Sequence, residues 1–283
     1  MDIDNYWKRR RTTRRRVLAG TGVVASGLAA TALVGCGSSD DDDDAKSTTS
    51  SGSPSAGTAV PTGSPKTGGT IKTTINGDPP SLDPYLNLSY RAQGVASFVY
   101  SRLFNIKSGP DIDPGDLQVE PDVAASREIP DPQTFTVKLK PGVKWQNVAP
   151  MSGRPFTSAD VKYTFERFMK LSPNKTSLLA IDSLETPDDS TVKFKLKTPM
   201  APLEFYLGSP THLYLMPREV IEADGDATKR MIGTGPLILD KYEPSSIFKW
   251  KKNPDYHVPG QPYVDAAEWI IIADTATATA NIR

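Results

Sequence analysis

Residues 134–145 read TFTVKLKPGVKW, and residues 153–161 read GRPFTSADV. In the first stretch Phe135, Val137 and Leu139 alternate with polar residues. That period of two predicts a strand with one buried face, followed by a turn at the Pro-Gly pair. The second stretch has turn residues first and helix-forming residues after them. Together they predict a strand and a helix that share one core.

The helix predicted from the second stretch has a defined start. Thr157 and Asp160 have the spacing of a capping box, in which each side chain satisfies a backbone N–H at the first turn. Apolar residues then recur at helical spacing up to about Leu171, and they are Val161, Phe165 and Phe168. The pattern predicts a helix with one buried stripe.

Strands and helices intermingle along the rest of the chain without a regular βαβ period, which predicts a mixed α/β fold. The apolar spacing predicts a helix from Tyr90 to Phe104, and residues 105–121, rich in Pro, Gly and Asp, read as a loop. Short helices are predicted at 201–207 and 217–223. Strands are predicted at 70–75, 191–197, 237–242, 246–251 and 263–272.

The composition excludes several classes of protein. Of 283 residues, 37% are hydrophobic and 23% charged, which excludes a polytopic membrane protein, a collagen-like chain and a fully disordered chain. The single cysteine excludes an intrachain disulfide framework and a zinc ribbon. Two histidines, His212 and His257, argue against a His-rich metal site, and we expect both to be ordinary surface or core residues.

The formal net charge of zero hides an uneven distribution. Residues 1–35 hold seven basic and two acidic residues, a net of +5, and the remaining chain has a net of −5. Such asymmetry is typical of a targeting segment followed by an acidic tail. Five of the acids form one run, Asp40 to Asp44.

The N-terminus has the layout of an export signal. An Arg-rich region is followed by the uncharged stretch Val17–Val34. Arg14 and Arg15 lie in a sequence that looks like the twin-arginine export motif, and residues 33–36, LVGC, resemble a bacterial lipobox with Cys36 as the lipidated residue. We therefore predict a signal peptide at 1–35. The alternatives are a signal anchor that spans a bilayer and a chance thiol at position 36.

Residues 36–68 are mostly Gly, Ser, Thr, Pro, Ala and Asp, and Val60 is their one large aliphatic residue. Such a segment cannot bury enough apolar surface to offset its chain entropy. It is predicted to be a disordered tether, and the aspartate run reads as a solvated spacer because it lacks the spaced ligands of a calcium loop. The arginines precede an apolar stretch without interleaved aromatic residues, so no nucleic-acid partner is expected.

Beyond residue 68 the chain resembles the family 5 extracellular solute-binding proteins of ABC importers. The similar motifs occur in the family's order, and they are Gly68–Ile71 GGTI, Pro80–Pro84 PSLDP, Thr134–Trp145, Gly153–Val161, Gly233–Pro236 GTGP and Asn253–Tyr256 NPDY. The loop between Trp145 and Gly153 is longer than is usual in the family. Each motif is weak alone, whereas their order and spacing together are specific.

The resemblance implies a periplasmic-binding-protein-like class II lobe over residues 69–283, with an inserted subdomain at about 101–205. It also implies that the chain corresponds to the N-terminal portion of a two-lobed receptor whose distal lobe is missing here. We therefore expect these 283 residues alone to bind ligand weakly or not at all. In relatives the segment after the PSLDP turn lines the cleft, which implies ligand contacts for Leu88, Ser89 and Tyr90. The alternative for Tyr90 is that it opens the following helix.

The resemblance implies a substrate-binding lipoprotein that captures peptides or a similar small solute and delivers them to ABC permease subunits. It would be anchored by lipid to the outer face of the cytoplasmic membrane, at the cell surface or in the periplasm. It implies no enzyme activity, and neither a cofactor nor a metal is expected. One alternative is a lipid-anchored interaction or sensory module derived from such a receptor, and another is a secreted hydrolase, although no nucleophile motif or phosphate loop occurs.

Other conspicuous residues are predicted to be structural. Gly233 and Gly235 are expected to adopt positive φ in a tight turn. Trp145, Trp250 and Trp269 are expected to pack in the core rather than to contact ligand.

Overall fold

The computed structural model describes residues 65–109, 112–113 and 115–274. The predicted signal peptide, most of the tether, and Arg14, Arg15 and Cys36 lie outside the described residues. Within the described ranges, no helix has the length and hydrophobicity needed to cross a membrane.

The described chain is organised around two four-stranded sheets. In the first sheet the strand order is β1 (Thr70–Ile75), β10 (Ala266–Ile271), β9 (Ile247–Lys252) and β8 (Leu237–Glu243), with β1 parallel to β10 and the other pairs antiparallel. In the second sheet the order is β4 (Ala124–Asp131), β5 (Thr134–Leu139), β7 (Thr191–Leu196) and β6 (Ile181–Asp188), all antiparallel. A short hairpin, β2 (Phe104–Ile106) and β3 (Val119–Pro121), precedes the second sheet.

The helices lie between these strands along the chain. They are α1 (Tyr90–Val99), α2 (Ser158–Leu171), a 3₁₀ helix at Pro173–Leu178, α3 (Leu203–Gly208) and α4 (Arg218–Asp224). The two short helices and the predicted strands occur within a few residues of their predicted bounds, and the mixed α/β fold class is confirmed.

The prediction that α1 runs to Phe104 is wrong. The helix ends at Val99 because Tyr100 adopts an extended conformation, with φ −103° and ψ 138°. The carbonyl oxygen of Leu103 accepts hydrogen bonds from Asp122 N and Ala124 N, both at 3.1 Å. The apolar spacing continues past Val99 because the buried side chains of Leu103 and Phe104 belong to an extended segment that enters the same core.

The sequence also failed to predict β4 and β6, the two edge strands of the second sheet. In β4 all residues after Ala124 are exposed, and in β6 the buried positions are Ile181 and Leu184. An edge strand with both faces largely solvated lacks the alternation that marks a half-buried strand. The predicted loop at 105–121 is likewise bounded by the short strands β2 and β3.

The core of the second sheet forms as the opening motifs predict. Phe135, on β5, lies with its ring centroid 6.3 Å from that of Phe194, on β7. Phe194 in turn meets Phe165 of α2 edge-on, with centroids 6.2 Å apart. Asp160 Oδ2 accepts a hydrogen bond from Thr157 N at 2.9 Å, which fixes the start of α2. Burying each of these aromatic side chains stabilises the fold by about 2–3 kcal/mol.

The turn Gly233–Pro236 joins α1 to the first sheet, and the prediction for its glycines is wrong. Neither Gly233 nor Gly235 has positive φ. A Cβ atom at Gly233 would lie 2.0 Å from the carbonyl oxygen of Val99, and one at Gly235 would lie 2.6 Å from it. Gly235 N donates to that oxygen at 2.8 Å. These positions are glycine because two backbone segments touch there.

The PSLDP turn is tied to α2 by a buried ion pair. Asp83 is fully buried, and its carboxylate accepts hydrogen bonds from both terminal nitrogens of Arg167, one of them at 3.1 Å. Asp83 Oδ1 also accepts from Tyr85 N at 3.0 Å. The turn therefore holds the start of the 84–90 segment in a fixed position next to the second sheet's helix.

Candidate functional site

A groove opens at the C-terminal ends of the neighbouring parallel strands β1 and β10. Its volume is about 530 Å³, and the first turn of α1 forms one of its sides. Eight residues line it, and they are Thr73, Thr74, Ile75, Asn76, Tyr90, Arg91, Trp269 and Ile272. We call this the β1–α1 groove. Openings beyond the carboxyl ends of parallel strands are the usual ligand sites of open sheets that carry helices.

The three residues predicted to contact ligand have different positions. Tyr90 lines the groove, and its side chain is 94% exposed. It is also the first residue of α1, as the alternative that Tyr90 opens the helix predicts. Ser89 caps the helix, with its side chain accepting a hydrogen bond from Ala92 N at 3.2 Å. Leu88 and Ser89 adjoin the groove in sequence but are not among its lining residues.

The sequence reasoning predicted ligand contact for only one of the eight lining residues, Tyr90, and the most conspicuous of those it missed are Arg91 and Trp269. Arg91 follows the predicted Tyr90 and was assigned no role of its own. Trp269 was predicted to pack, and it does, with its ring centroid 5.1 Å from Phe98 and 5.4 Å from Trp250. The signal available in the sequence was strand alternation, which puts Trp269 of β10 on the same face as Trp250 of β9.

The position of Trp269 depends on a glycine within α1. A Cβ atom at Gly94 would lie 3.1 Å from the Trp269 ring, so the absence of a side chain lets the indole approach the helix closely. Trp145 and Trp250, in contrast, are fully buried, which confirms their predicted packing role. Trp269 therefore both packs against α1 and lines the groove.

The turn that forms one end of the groove is held by Asp78. Its carboxylate accepts hydrogen bonds from Ser245 N at 3.0 Å and from the Tyr242 hydroxyl at 2.8 Å. The hydrogen bond from the Ser245 backbone N–H is the main cause that lowers the pKa of Asp78, and the hydroxyl groups of Tyr242 and Ser245 lower it further. The carboxylate is therefore ionised at neutral pH. Burial raises the pKa of Tyr242 to about 12, and the hydrogen bond to the Asp78 carboxylate is the next largest cause of that rise. The turn is thus anchored to the β8–β9 connection before any ligand arrives.

A second cavity, of about 500 Å³, lies between Leu86, α2 and the C-terminal end of α4. Charged residues of both signs line it, including Glu166, Arg167, Lys170 and Asp226, together with Leu86 and Ile221. Arg167 is already paired with Asp83 there. The mixture of charges gives this cavity no clear electrostatic preference, so the β1–α1 groove is the stronger candidate site.

The two histidines occupy different environments. His212 is buried, its Nε2 lies 2.8 Å from Ser177 Oγ, and burial lowers its pKa to about 4. His257 lies 3.1 Å from the Asp122 carboxylate. Within the part of the chain that the structure describes, no three His, Cys, Asp or Glu residues are grouped to hold a metal ion.

Comparison with known proteins identifies the family. Residues 118–283, more than half of the chain, match the model of the bacterial extracellular solute-binding proteins, family 5 middle. A putative ABC transporter peptide-binding protein of Brucella ovis is 38% identical over 175 residues, which are 57% of this chain and 31% of that protein. The glutathione-binding protein GsiB of Escherichia coli is 28% identical over 207 residues, 72% of this chain and 38% of that protein.

Solved structures show the same fold. The periplasmic binding protein DppA of Helicobacter pylori, in complex with the peptide STSA, superposes with a TM-score of 0.68 at 25% identity, over 77% of this chain and 45% of that one. AgaA of A. tumefaciens R10, in complex with agropinic acid, gives a TM-score of 0.65 at 26% identity, over 75% and 41%. This chain spans less than half the length of these relatives. The periplasmic-binding-protein fold is confirmed, and the chain belongs to family 5 of the bacterial extracellular solute-binding proteins.

Proposed function

We propose that this protein is the extracytoplasmic substrate-binding component of an ABC importer, and that it captures peptides or a similar small solute. The observation that carries the proposal is the β1–α1 groove, which contains the predicted contact residue Tyr90 in a chain of this family. The relatives' names and ligands, a peptide, glutathione and agropinic acid, support this range of solutes.

The groove has the properties that capture of such a solute requires. Its volume is within the range of small-molecule sites, and its lining combines aromatic and aliphatic walls with a few polar groups. Among the described residues, β1 has a single strand neighbour, so the backbone groups of Thr73 to Ile75 on the other edge have no ladder partner. An extended peptide could pair with such an edge through main-chain hydrogen bonds, which leaves side-chain selectivity loose.

The proposal includes export and anchoring. Residues 1–35 would direct export through Arg14 and Arg15, Cys36 would carry the lipid, and residues 36–68 would tether the folded body to the outer face of the cytoplasmic membrane. A flexible tether of this length has a root-mean-square span of about 30 Å, which allows the protein to reach permease subunits in the same membrane. Metabolic labelling with a fatty-acid analogue is expected to mark the wild-type protein and not Cys36→Ser, while an unlabelled wild type or equal labelling of both would contradict lipidation at Cys36.

Calorimetry tests the capture of peptides. The protein, expressed from its complete reading frame, is titrated with pools of di- to pentapeptides, and saturable heat with at least one pool is expected. Absence of heat with every pool would contradict the peptide assignment. We infer a binding role rather than a catalytic one, so mass spectrometry of the peptides after titration is expected to show them intact. Cleaved peptides would support the secreted hydrolase instead.

A further inference from the structure

We propose that Arg91 makes the β1–α1 groove selective for solutes that carry a carboxylate, while Tyr90 and Trp269 contact an apolar part of the same molecule. This inference rests on the proposed function, because it assigns a solute class to the groove in which we place the ligand. It gives a role to the side chain of Arg91, for which neither the family match nor the similar proteins indicate one.

The charge of the groove is the first observation. Arg91 is the one charged side chain among the eight that line it, and no carboxylate lines it. A cation in a partly enclosed groove with apolar walls attracts anions more strongly than one on an open surface, because the local dielectric is lower. The groove is therefore electrostatically complementary to an anionic solute.

The second observation is that Arg91 lacks the partners that the other arginines of the described chain have. Five of them form ion pairs with carboxylates, and they are Arg127, Arg154, Arg167, Arg218 and Arg230. The sixth, Arg102, donates a hydrogen bond to Asn105 and lies over the ring of Tyr214. Among the described residues, Arg91 has no ion pair, side-chain hydrogen bond or ring contact. Its five N–H donors are available to a ligand.

The third observation concerns the position of the guanidinium group. Its Nη1 atom lies 2.5 Å from where a Cβ atom would be at Gly77, so the group rests against the backbone of a residue without a side chain. Gly77 has φ +151°, and the neighbouring Asp78 is fixed by Ser245 and Tyr242. The surface that supports Arg91 is therefore anchored in advance, which reduces the entropy lost on ordering the side chain when an anion binds.

The groove also selects among anions by shape. A planar guanidinium group accepts a carboxylate in a two-point hydrogen-bonded geometry. The exposed ring of Tyr90 and the indole of Trp269 offer apolar contact area next to it. A volume of about 530 Å³ suits a solute of a few residues or a small organic acid. The solute class is thus a small carboxylate with an aromatic or aliphatic substituent, either a short peptide with a free C-terminus or a non-peptide acid.

Matched acid and amide probes test this inference. The protein, expressed from its complete reading frame, is titrated with N-acetyl-L-phenylalanine and with its primary amide, and separately with Ala-Phe-Ala and its C-terminal amide. Ligand-observed NMR measures the dissociation constants. A charge-assisted pair is expected to give the acids at least a tenfold advantage over the amides. Added salt is expected to reduce that advantage. If only the peptide acid shows it, the carboxylate comes from a peptide terminus, whereas an advantage in both pairs indicates general recognition of small acids.

Variants show whether Arg91 is responsible. In Arg91→Gln the acid and the amide are expected to bind equally, with the affinity for the amide unchanged, and Arg91→Lys should restore part of the preference. The control is Arg218→Gln, which removes an exposed arginine that does not line the groove, and it should keep the full preference. Far-UV circular dichroism confirms that each variant is folded. Equal binding of acid and amide by the wild type, an unchanged ratio in Arg91→Gln, or no binding of any probe would overturn the inference.

These results separate the inference from the proposed function. Peptide heat in calorimetry together with equal binding of acids and amides would leave the importer role intact and remove the carboxylate selectivity. A clear acid preference that depends on Arg91, without heat from any peptide pool, would keep the selectivity and remove the peptide assignment.

Discussion

The two sheets of this protein differ in how their strands pair and in how far their apolar side chains are buried. Every neighbouring pair in the second sheet is antiparallel, and its central strands β5 and β7 contribute buried aromatic residues such as Phe135 and Phe194. The first sheet joins β1 to β10, pairing Thr70 with Ala266 almost two hundred residues away. Ile71 is 52% and Ile270 41% exposed in the first sheet, whereas the exposed large apolar residue of the second sheet, Ile129, lies on its edge strand β4.

This difference separates stability from binding. The second sheet and α2 form a filled core from one continuous stretch of about 75 residues, whereas the β1–α1 groove lies on the first sheet, beside its edge strand β1. A binding surface needs unfilled space and unpaired groups, which a tightly packed unit does not provide. The second sheet thus forms the packed part of the described body, and the first sheet presents the candidate site.

The largest effect that tests this comparison is the loss of a side chain from each sheet. Phe194→Ala is expected to lower the free energy of unfolding by about 4 kcal/mol, because the side chain is fully buried between Phe135 and Phe165. Ile270→Ala in the first sheet should cost about 1 kcal/mol or less, since much of that side chain is already solvated. Urea unfolding followed by circular dichroism measures both. Equal losses would show that the two sheets are packed alike.

The next effect compares a buried ion pair with an exposed one. Asp83→Asn removes the buried charge that Arg167 of α2 requires and is expected to cost about 3 kcal/mol. Its control, Glu268→Gln, breaks contacts with Lys72 at 3.5 Å and Lys249 at 3.3 Å on the solvated face of the first sheet, and should cost less than about 1 kcal/mol. Urea unfolding at low and high salt measures both. A comparable loss in the two variants would contradict the contrast.

A smaller effect tests the contact between α1 and the first sheet. Gly233→Ala is expected to cost about 2 kcal/mol, because its Cβ atom would overlap the carbonyl oxygen of Val99 and force backbone movement. Gly142→Ala is the matched control. Gly142 has φ +76°, and no other atom lies within 4 Å of the position that a Cβ atom would take, so only the left-handed strain of about 1 kcal/mol applies. Thermal unfolding distinguishes them. If Gly142→Ala is the more damaging change, close approach is not the reason for Gly233.

The sequence predicts the filled core well and the open site poorly, and the cause is physical. Phe135 and Phe165 belong to periodic apolar patterns that are visible in the local sequence, because burial of one face of a strand or helix imposes such a pattern. The edge strand β4 has no such period since water reaches both of its faces. Trp269 comes to line the same groove as Arg91 and Tyr90 only after β10 pairs with β1, a placement that local sequence does not encode. The sequence marks Gly233 and Gly235 as conspicuous, but these positions require glycine because they approach the backbone of Val99, which is distant in sequence.

The smallest predicted effect uses pH to probe the packed side of the molecule, where His212 is buried. Its ring lies 6.0 Å from that of Phe168 of α2 in a stacked arrangement, and its nitrogens face the hydroxyl groups of Ser177 and Thr211. Burial lowers the pKa of His212 from an ordinary 6.5 to about 4. The folded state therefore keeps the imidazole neutral over a range in which the unfolded chain takes up a proton.

This pKa difference fixes the direction of the pH dependence. His212 contributes its full stability above pH 6.5, and the contribution falls as the pH drops towards 4, because protons then bind preferentially to the unfolded chain. Between pH 8 and 5.5 the expected loss is on the order of 1 kcal/mol. Urea unfolding across this range measures it, and His212→Gln, which keeps a polar side chain without a titrating ring, should flatten the curve by that amount. An identical pH dependence in the variant would mean that His212 is solvated where it meets α2. The contrast between a filled core around the second sheet and an open groove on the first would then be weaker than the structure indicates.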